Sequence, residues 1–337
     1  PCFLWGAACC ALLGGGDRGL GMTILLTGAT GFVGRHLAAT LLAAGHRVAG
    51  VAWEDAPPAV PGVDLVKADV LDLPALTAAF ARFEPEAVVH LAGLAHVGES
   101  WGRMGEYFQV NVVGADHVLR AARHTGGDGV RVVLASSAEV YGPVPEAEQP
   151  ISESRPVDPR SPYGLTKAAA ERLMLAAADR GQQAVVVRAF NLIGAGQAKN
   201  FALPSFAGQL AAIRRGTSPP VLKVGNLSAR RDFVHIEDAA EALGLVVAGA
   251  AAGDVVNLAS GRAWTIAEAL DHLIAESGLE VQVEVDPERV RPVDQPLLCG
   301  DGARLRALGW VPRRGVESAL ADLWAEAMAE SARGDVA

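Results

Sequence analysis

Residues 23–34 read TILLTGATGFVG, and the fold turns on them. Thr23–Thr27 is a short, mostly apolar run with strand character. Glycines follow at 28, 31 and 34, and GRHLAATLLAAG (34–45) is an Ala/Leu-rich helix closed by Gly45. Strand, glycine turn and helix in that order build a phosphate cradle. Gly28 permits the tight turn, Gly31 a close backbone approach to a pyrophosphate, and Gly34 close packing of helix on strand. The helix N-terminus then offers free N–H groups to the anion. A merely tight turn would not need all three glycines.

Outward from this stretch the pattern alternates. HRVAGVAW (46–53) reads as strand, VDLVKADV (63–70) as strand, LPALTAAFARF (73–83) as helix and AVVHLAG (87–93) as strand. YFQVNVVGADHVLRAARHTG (107–126) is helical, VRVVLASS (130–137) strand, SPYGLTKAAAERLMLAAADRG (161–181) helical and AVVVRAFN (184–191) strand. Continuously apolar strands separated by helices indicate a parallel sheet covered on both faces. The expected fold is therefore α/β: a Rossmann-type doubly wound parallel sheet with a smaller C-terminal α/β substrate domain. Residues 22–190, with about 235–260, form the dinucleotide-binding part; residues 191–234 and 261–330 form the substrate part. Residues 195–234 read as irregular and rich in Gly, Pro and Arg, whereas EVQVEV (280–285) reads as a short alternating strand.

Composition bounds the partners. The chain has 337 residues, half of them hydrophobic, and a formal net charge of -9 with no basic cluster. That balance disfavours nucleic acid and anionic membrane surfaces. Three of the four cysteines lie in the first ten residues, leaving Cys299 alone in the body. A disulfide framework is thus excluded there, and a reducing, cytoplasmic setting is expected. PCFLWGAACCALLGGGDRGLG (1–21) is too short to span a bilayer and lacks the preceding basic residues of a secretory signal. It reads as an extension outside the fold.

Two further stretches carry chemistry. LASSAEVYG (134–142) ends an apolar strand in Ser136, Ser137, Ala138 and Glu139. In SPYGLTK, Tyr163 and Lys167 lie four apart on a helix and share a face. A lysine ammonium there favours the phenolate, lowering the tyrosine pKa toward working pH so that it can exchange a proton with a sugar oxygen. For the cofactor, an acidic residue closing the second strand would bind ribose hydroxyls and favour NAD. The strand instead ends at Ala52, with Glu54 and Asp55 beyond, and Arg35 follows the glycine turn, where it can meet a 2′-phosphate. NADP(H) is favoured over NAD(H). Asp69 is placed either to bind the adenine amine or to cap a helix. His90 reads as strand core, His96 and His235 as loop residues, and no histidine spacing suggests a metal site.

Taken in order, TGATGFVG, HLAG, SSAEVYG, SPYGLTK and RAFNLIGAGQ resemble the extended short-chain dehydrogenase/reductases acting on nucleotide-diphospho-sugars, over essentially all of residues 22–330. The resemblance implies that Ser137 hydrogen-bonds the reacting sugar oxygen, that Tyr163 is the acid/base, and that Lys167 also holds the nicotinamide ribose. It places Gly28, Gly31, Phe32, Val33, Gly34, Arg35, Asp69, Val70, Leu91, Ala92, Gly93, Tyr163 and Lys167 around the dinucleotide. Asn191, Arg231 and Arg291 join Ser137 around the nucleotide-sugar, with Asp294 as a candidate ion-pair partner for one of the arginines. A homodimer through two helices, including the one bearing Tyr163, is also implied.

Three reactions fit such a family: 4-epimerisation, 4,6-dehydration and reduction of a 4-keto-6-deoxy sugar. In 4,6-dehydratases the segment at residues 137–139 commonly reads Thr-Asp-Glu or Thr-Ser-Glu; here it reads Ser137-Ala138-Glu139. Glu139 is expected near the substrate but not as an elimination base. The stretches at 150–171, 188–197 and 285–301 look more like the GDP-4-keto-6-deoxy-D-mannose reductases and related 4-ketoreductases. A reductase is the leading expectation, a dehydratase or epimerase the alternative. A dinucleotide sensor without catalysis would be marked by loss of Ser137, Tyr163 or Lys167, and all three are present.

Overall fold

The computed structural model describes residues 21–55, 57–289 and 295–334. Residues 1–20 of the extension read at 1–21, and the candidates Arg291 and Asp294, lie outside the described residues. Seven strands form one sheet: β1 (Thr23–Thr27), β2 (Arg47–Ala52), β3 (Asp64–Lys67), β4 (Ala87–His90), β5 (Arg131–Ser137), β6 (Ala184–Ala189) and β10 (Val255–Leu258). Their order is β10-β6-β5-β4-β1-β2-β3, and every pair is parallel. The order reverses between β1 and β4, so the carboxyl ends of these two strands border the crevice where doubly wound sheets bind ligands.

Both faces of the central strands are covered, which is why those strands are largely apolar. On one face, α1 (Phe32–Ala43) and α7 (Ile236–Gly249) bury Leu37, Leu41, Leu243 and Val246 against Ile24, Leu26, Val133 and Val187. On the other, α2 (Leu73–Phe83), α4 (Gly114–Gly126) and α5 (Pro162–Ala178) bury Leu76, Phe80, Val118, Ala170 and Met174 against Leu25, Val88, Val132 and Val186. The short helix α3 (Met104–Phe108) runs into α4 through a π-turn at Gln109–Val113.

The remaining elements form a second core. β9 (Arg230–His235) pairs with β7 (Asn191–Ile193), β11 (Ala263–Thr265) and β13 (Leu297–Leu298), while β8 (Val221–Val224) pairs in parallel with β12 (Gln282–Val285). Helices α6 (Ala202–Arg214), α8 (Ile266–Ser277) and α10 (Val316–Gly334) pack on these strands; α9 (Ala303–Ala307) lies near β10. The reading of 195–234 as irregular is corrected here, since it contains α6, β8 and β9. In α6 the residues Leu203, Phe206, Ala207, Leu210 and Ala211 are buried at helical spacing. Pro204 falls in the first turn, where its missing N–H costs nothing, so it disguises the helix without breaking it. His235 is also no loop residue. It ends β9, is buried, and its Nδ1 accepts from the Glu237 amide at 3.1 Å to cap α7. No helix among the described residues is long and apolar enough to cross a membrane.

Candidate active site

The glycine turn is built against two neighbouring strands. Gly28 has φ +68°, and a Cβ there would lie 2.9 Å from the Ala92 amide nitrogen. The Gly28 amide donates to Val51 O at 3.0 Å. Gly34 is closer still, since its Cβ would lie 2.2 Å from Gly28 O. Gly31 begins α1 with no side-chain cap. The amides of Phe32, Val33 and Gly34 therefore face the crevice without an intrahelical acceptor, and this donor set fits a pyrophosphate. Leu91 N donates to Thr27 O and Ala92 N to Thr27 Oγ1 at 3.2 Å, bringing the 91–93 segment beside the turn.

The other edge of the crevice is mixed in character. Ala68 N donates to Ala52 O at 2.9 Å, which sets the ends of β2 and β3 side by side. Asp69 is exposed and accepts from Leu71 N at 2.9 Å, while the cap of α2 is Asp72, accepting from Ala75 N at 3.0 Å. The helix-cap alternative for Asp69 thus falls to its neighbour. Val70 is buried against this edge, and its carbonyl bonds His117. Trp53, which sequence reasoning passed over, follows β2 and is 71% exposed. The Arg35 guanidinium lies so close to Gly196 that a Cβ there would be 2.6 Å from Nη1.

Ser137, Tyr163 and Lys167 come together at the end of β5. Ser161 caps α5 by accepting from Gly164 N at 3.0 Å, and Pro162 occupies the first helical position. This start turns Tyr163 and Lys167 inward; both are buried. The Tyr163 hydroxyl lies beside Ser137, which acts on its proton affinity, and Ser137 Oγ accepts from Glu139 N at 3.2 Å. Lys167 Nζ donates to Ala135 O at 2.8 Å. Gly93 lies alongside, where a Cβ would be 3.4 Å from Nζ.

The electrostatics correct one expectation. Burial pushes the Tyr163 phenol up to about 12; Ser137 opposes this and the Glu139 charge adds to it. The expected lowering is absent because desolvation of the buried phenol dominates. Lys167 itself is lowered to about 8 by burial, with Glu171 opposing the fall. Asn111 also belongs here, though no motif announced it. Delivered by the π-turn, it accepts from Leu94 N at 2.9 Å and donates to Thr166 Oγ1 at 3.0 Å, fixing the loop after β4 to α5.

A cavity of about 610 Å³ opens beside this group, lined by Asn191 and Arg231 together with His96, Lys199, Asn200, Asn226, Glu288 and Arg289. Ser137, Tyr163 and Lys167 are not among its lining residues. Asn191 connects the two regions, for Ser137 pairs in register with Ala189, two residues earlier. So does His96, whose carbonyl accepts from Tyr107 OH at 2.7 Å, the Tyr107 ring standing edge-on to that of Tyr163. Arg231 is oriented by donating to Gln295 O at 2.7 Å, and Arg289 Nη1 donates to Ser205 Oγ at 3.1 Å. Planar guanidinium groups on a cavity wall suit phosphate oxygens.

Comparison with known proteins settles the ancestry. The family model described as "NAD dependent epimerase/dehydratase family" matches residues 24–259. The chain belongs to that family. Its relatives there include the GDP-6-deoxy-D-mannose reductase of Pseudomonas aeruginosa, 36% identical over 88% of this chain and 94% of that protein. Among solved structures, RMD from Pseudomonas aeruginosa complexed with NADPH matches with a TM-score of 0.82 and 32% identity, covering 92% of this chain and 99% of that one. The Thermus thermophilus UDP-glucose 4-epimerase complex with NAD matches at 0.81 and 29%, covering 91% and 99%. The resemblance to extended short-chain dehydrogenase/reductases is borne out, as is the doubly wound sheet. The epimerase/dehydratase family thus includes relatives seen with either dinucleotide.

Proposed function

We propose that this protein is a reductase of the 4-keto group of a nucleotide-diphospho-4-keto-6-deoxyhexose. The observation that carries the reading is the buried Tyr163 hydroxyl, set beside Ser137 and kept protonated at neutral pH. A phenol that holds its proton is suited to giving one to a new alkoxide. A nicotinamide dinucleotide in the glycine crevice supplies the hydride. Ser137 orients the carbonyl oxygen, Tyr163 donates the proton and Lys167 supplies the adjacent positive charge. Asn191, Arg231 and Arg289 hold the diphosphate. Similarity to a GDP-6-deoxy-D-mannose reductase over nearly the whole chain supports the direction.

Dehydration is the second reading, and one observation weighs against it. Elimination needs a pair of acid/base groups beside Ser137, and of the two following positions only Glu139 is ionisable, Ala138 being a buried methyl. Mixing the protein with NADPH and GDP- or dTDP-4-keto-6-deoxyhexose should consume NADPH stoichiometrically. If a 4-keto sugar instead formed from GDP-mannose or dTDP-glucose without added NADPH, the reductase reading would fall.

NADPH is the preferred donor in this reading. Ala52 leaves no carboxylate at the end of β2 to repel a 2′-phosphate, and Arg35 stands at the first turn of α1. Arg35→Ala is expected to raise KM for NADPH by about tenfold to a hundredfold, the value of one charge-assisted contact, with little effect on NADH. Equal losses for the two cofactors would remove Arg35 from discrimination. The working form is a cytoplasmic homodimer. Trp101, Met104, Phe108 and Leu165 are all about half exposed or more on α3, the turn before it and the start of α5, an apolar surface suited to a second copy. Leu165→Asp should halve the mass seen by light scattering; an unchanged mass places the contact elsewhere.

A further inference from the structure

Behind Ser137 and Tyr163 lies a buried ion pair that the proposed reaction does not use. Glu171 is 2% exposed, Arg188 5% and Ser136 4%. Arg188 Nε donates to Glu171 Oε1 and Oε2 at 3.1 and 3.2 Å, and its Nη2 donates to Oε2 at 2.7 Å. Ser136 Oγ donates to Oε1 at 2.5 Å. The guanidinium also sits 4.8 Å above the centre of the Tyr141 ring, whose hydroxyl donates to Asn257 Oδ1 at 2.7 Å. One carboxylate thereby joins α5, β5 and β6.

Tyr163, Lys167 and Glu171 recur every four residues and so occupy one face of α5. Each faces a different member of the last three residues of β5, and Lys167 and Glu171 hydrogen-bond theirs. Tyr163 meets Ser137, Lys167 meets Ala135 O, and Glu171 meets Ser136 Oγ. A buried ion pair is by itself weak evidence for anything but its own geometry. Here Arg188 already satisfies the carboxylate, and the short Ser136 bond is additional. The geometry points to Glu171 as a positioning residue for the reduction: it fixes the strand edge from which Ser137 projects and provides the counter-charge facing Lys167 along the helix. This role rests on the reading of Ser137 and Tyr163 as the reacting pair.

The ionisable groups around Lys167 give the role a signature. On its own helix these are Tyr163 and Glu171, at the end of β4 His90, and beyond β5 Glu139, which acts on Tyr163. His90 stays neutral, pushed down to about 3 by burial and by Lys167. Burial lowers Lys167 to about 8, and the Glu171 charge works against that fall. If the ammonium is needed, activity declines as pH rises through that value. Loss of the Glu171 charge then moves the decline to lower pH.

The experiment compares Glu171→Gln and Ser136→Ala with the wild type in kcat, KM and pH profile. Glu171→Gln should lower kcat about tenfold or more, leave KM for NADPH within about threefold, and shift the alkaline limb downward. Ser136→Ala keeps the charge, so kcat should fall severalfold while the limb stays in place. A Glu171→Gln protein with a lower Tm but wild-type kcat and limb overturns the proposal. Unchanged kcat in Ser136→Ala does the same, and it decides the matter should Glu171→Gln fail to fold. A readout free of turnover separates this role from the reaction itself. The chain has four lysines, at 67, 167, 199 and 223, so Lys167 can be titrated by NMR of isotope-labelled lysine, its signal identified by its loss in Lys167→Arg. If the wild type reduces no keto sugar, the reductase reading fails. A lower Lys167 midpoint in Glu171→Gln would still establish that Glu171 sets the charge of Lys167, and an unchanged midpoint would overturn that placement whatever the reaction.

Discussion

Tyr163→Phe should reduce kcat for keto-sugar reduction by about 10²–10⁴-fold, the range associated with a positioned general acid. The substitution removes one oxygen from a buried ring and leaves the shape of α5 alone. Ser137 is not orphaned by it, because its Oγ still accepts from Glu139 N at 3.2 Å. The stability cost should therefore stay near that of one hydrogen bond, about 1 kcal/mol. NADPH affinity, measured by fluorescence titration, should stay within a few-fold of wild type, since the glycine crevice is untouched. The expected result is thus an enzyme that folds and binds its cofactor but scarcely turns over. Activity within tenfold of wild type would mean that the proton comes from elsewhere, with Glu139, whose charge acts on Tyr163, the alternative to test. Because the Tyr163 phenol lies at about 12, wild-type activity should show no loss from its ionisation at neutral or mildly alkaline pH. An alkaline limb near pH 8 would instead report Lys167.

The sheet and the reacting group were legible in the sequence for different reasons. Strands such as Val132–Leu134 and Val185–Val187 are buried on both faces, so each declares itself as an unbroken apolar run. Ser137, Tyr163 and Lys167 were legible because two short segments carry them, one at a strand end and one at a helix start. The substrate cavity was much less so. Its walls come from separate stretches around His96, Lys199, Asn226 and Arg289, and no periodicity relates residues that meet only after folding. Asn111 was hidden for a similar reason, since a π-turn leaves no pattern of its own in an otherwise helical stretch. The pKa of Tyr163 could not be read from spacing at all. An i,i+4 lysine suggests a lowered value, but desolvation outweighs it, and the extent of burial depends on neighbours such as Tyr107 that lie far away in the chain.

Gly34→Ala should weaken cofactor binding about a hundredfold or more through a single added methyl. At Gly34 the new Cβ would lie 2.2 Å from Gly28 O and 2.8 Å from both the Cα and the carbonyl carbon of Ala29. All three are backbone atoms of the glycine turn, so no side chain can swing aside. Either α1 lifts from β1 or the turn opens, and both spoil the amides of residues 32–34 as a cradle. Overpacking of this kind costs about 1–3 kcal/mol, and lifting α1 would also loosen Leu37 and Leu41 from the core they share with Ile24 and Leu26. Tm should fall by several degrees. NADPH affinity should drop about a hundredfold or more, because two or more charge-assisted contacts to the pyrophosphate are lost together. Gly105→Ala is the matched control. That glycine lies in α3 with nothing within 4 Å of its Cβ position, and alanine favours a helix by up to about 1 kcal/mol over glycine. The control should bind NADPH normally and melt no lower than wild type. Wild-type NADPH affinity in Gly34→Ala would show that the dinucleotide does not lie against this turn, and the cofactor crevice would have to be sought elsewhere along the sheet edge.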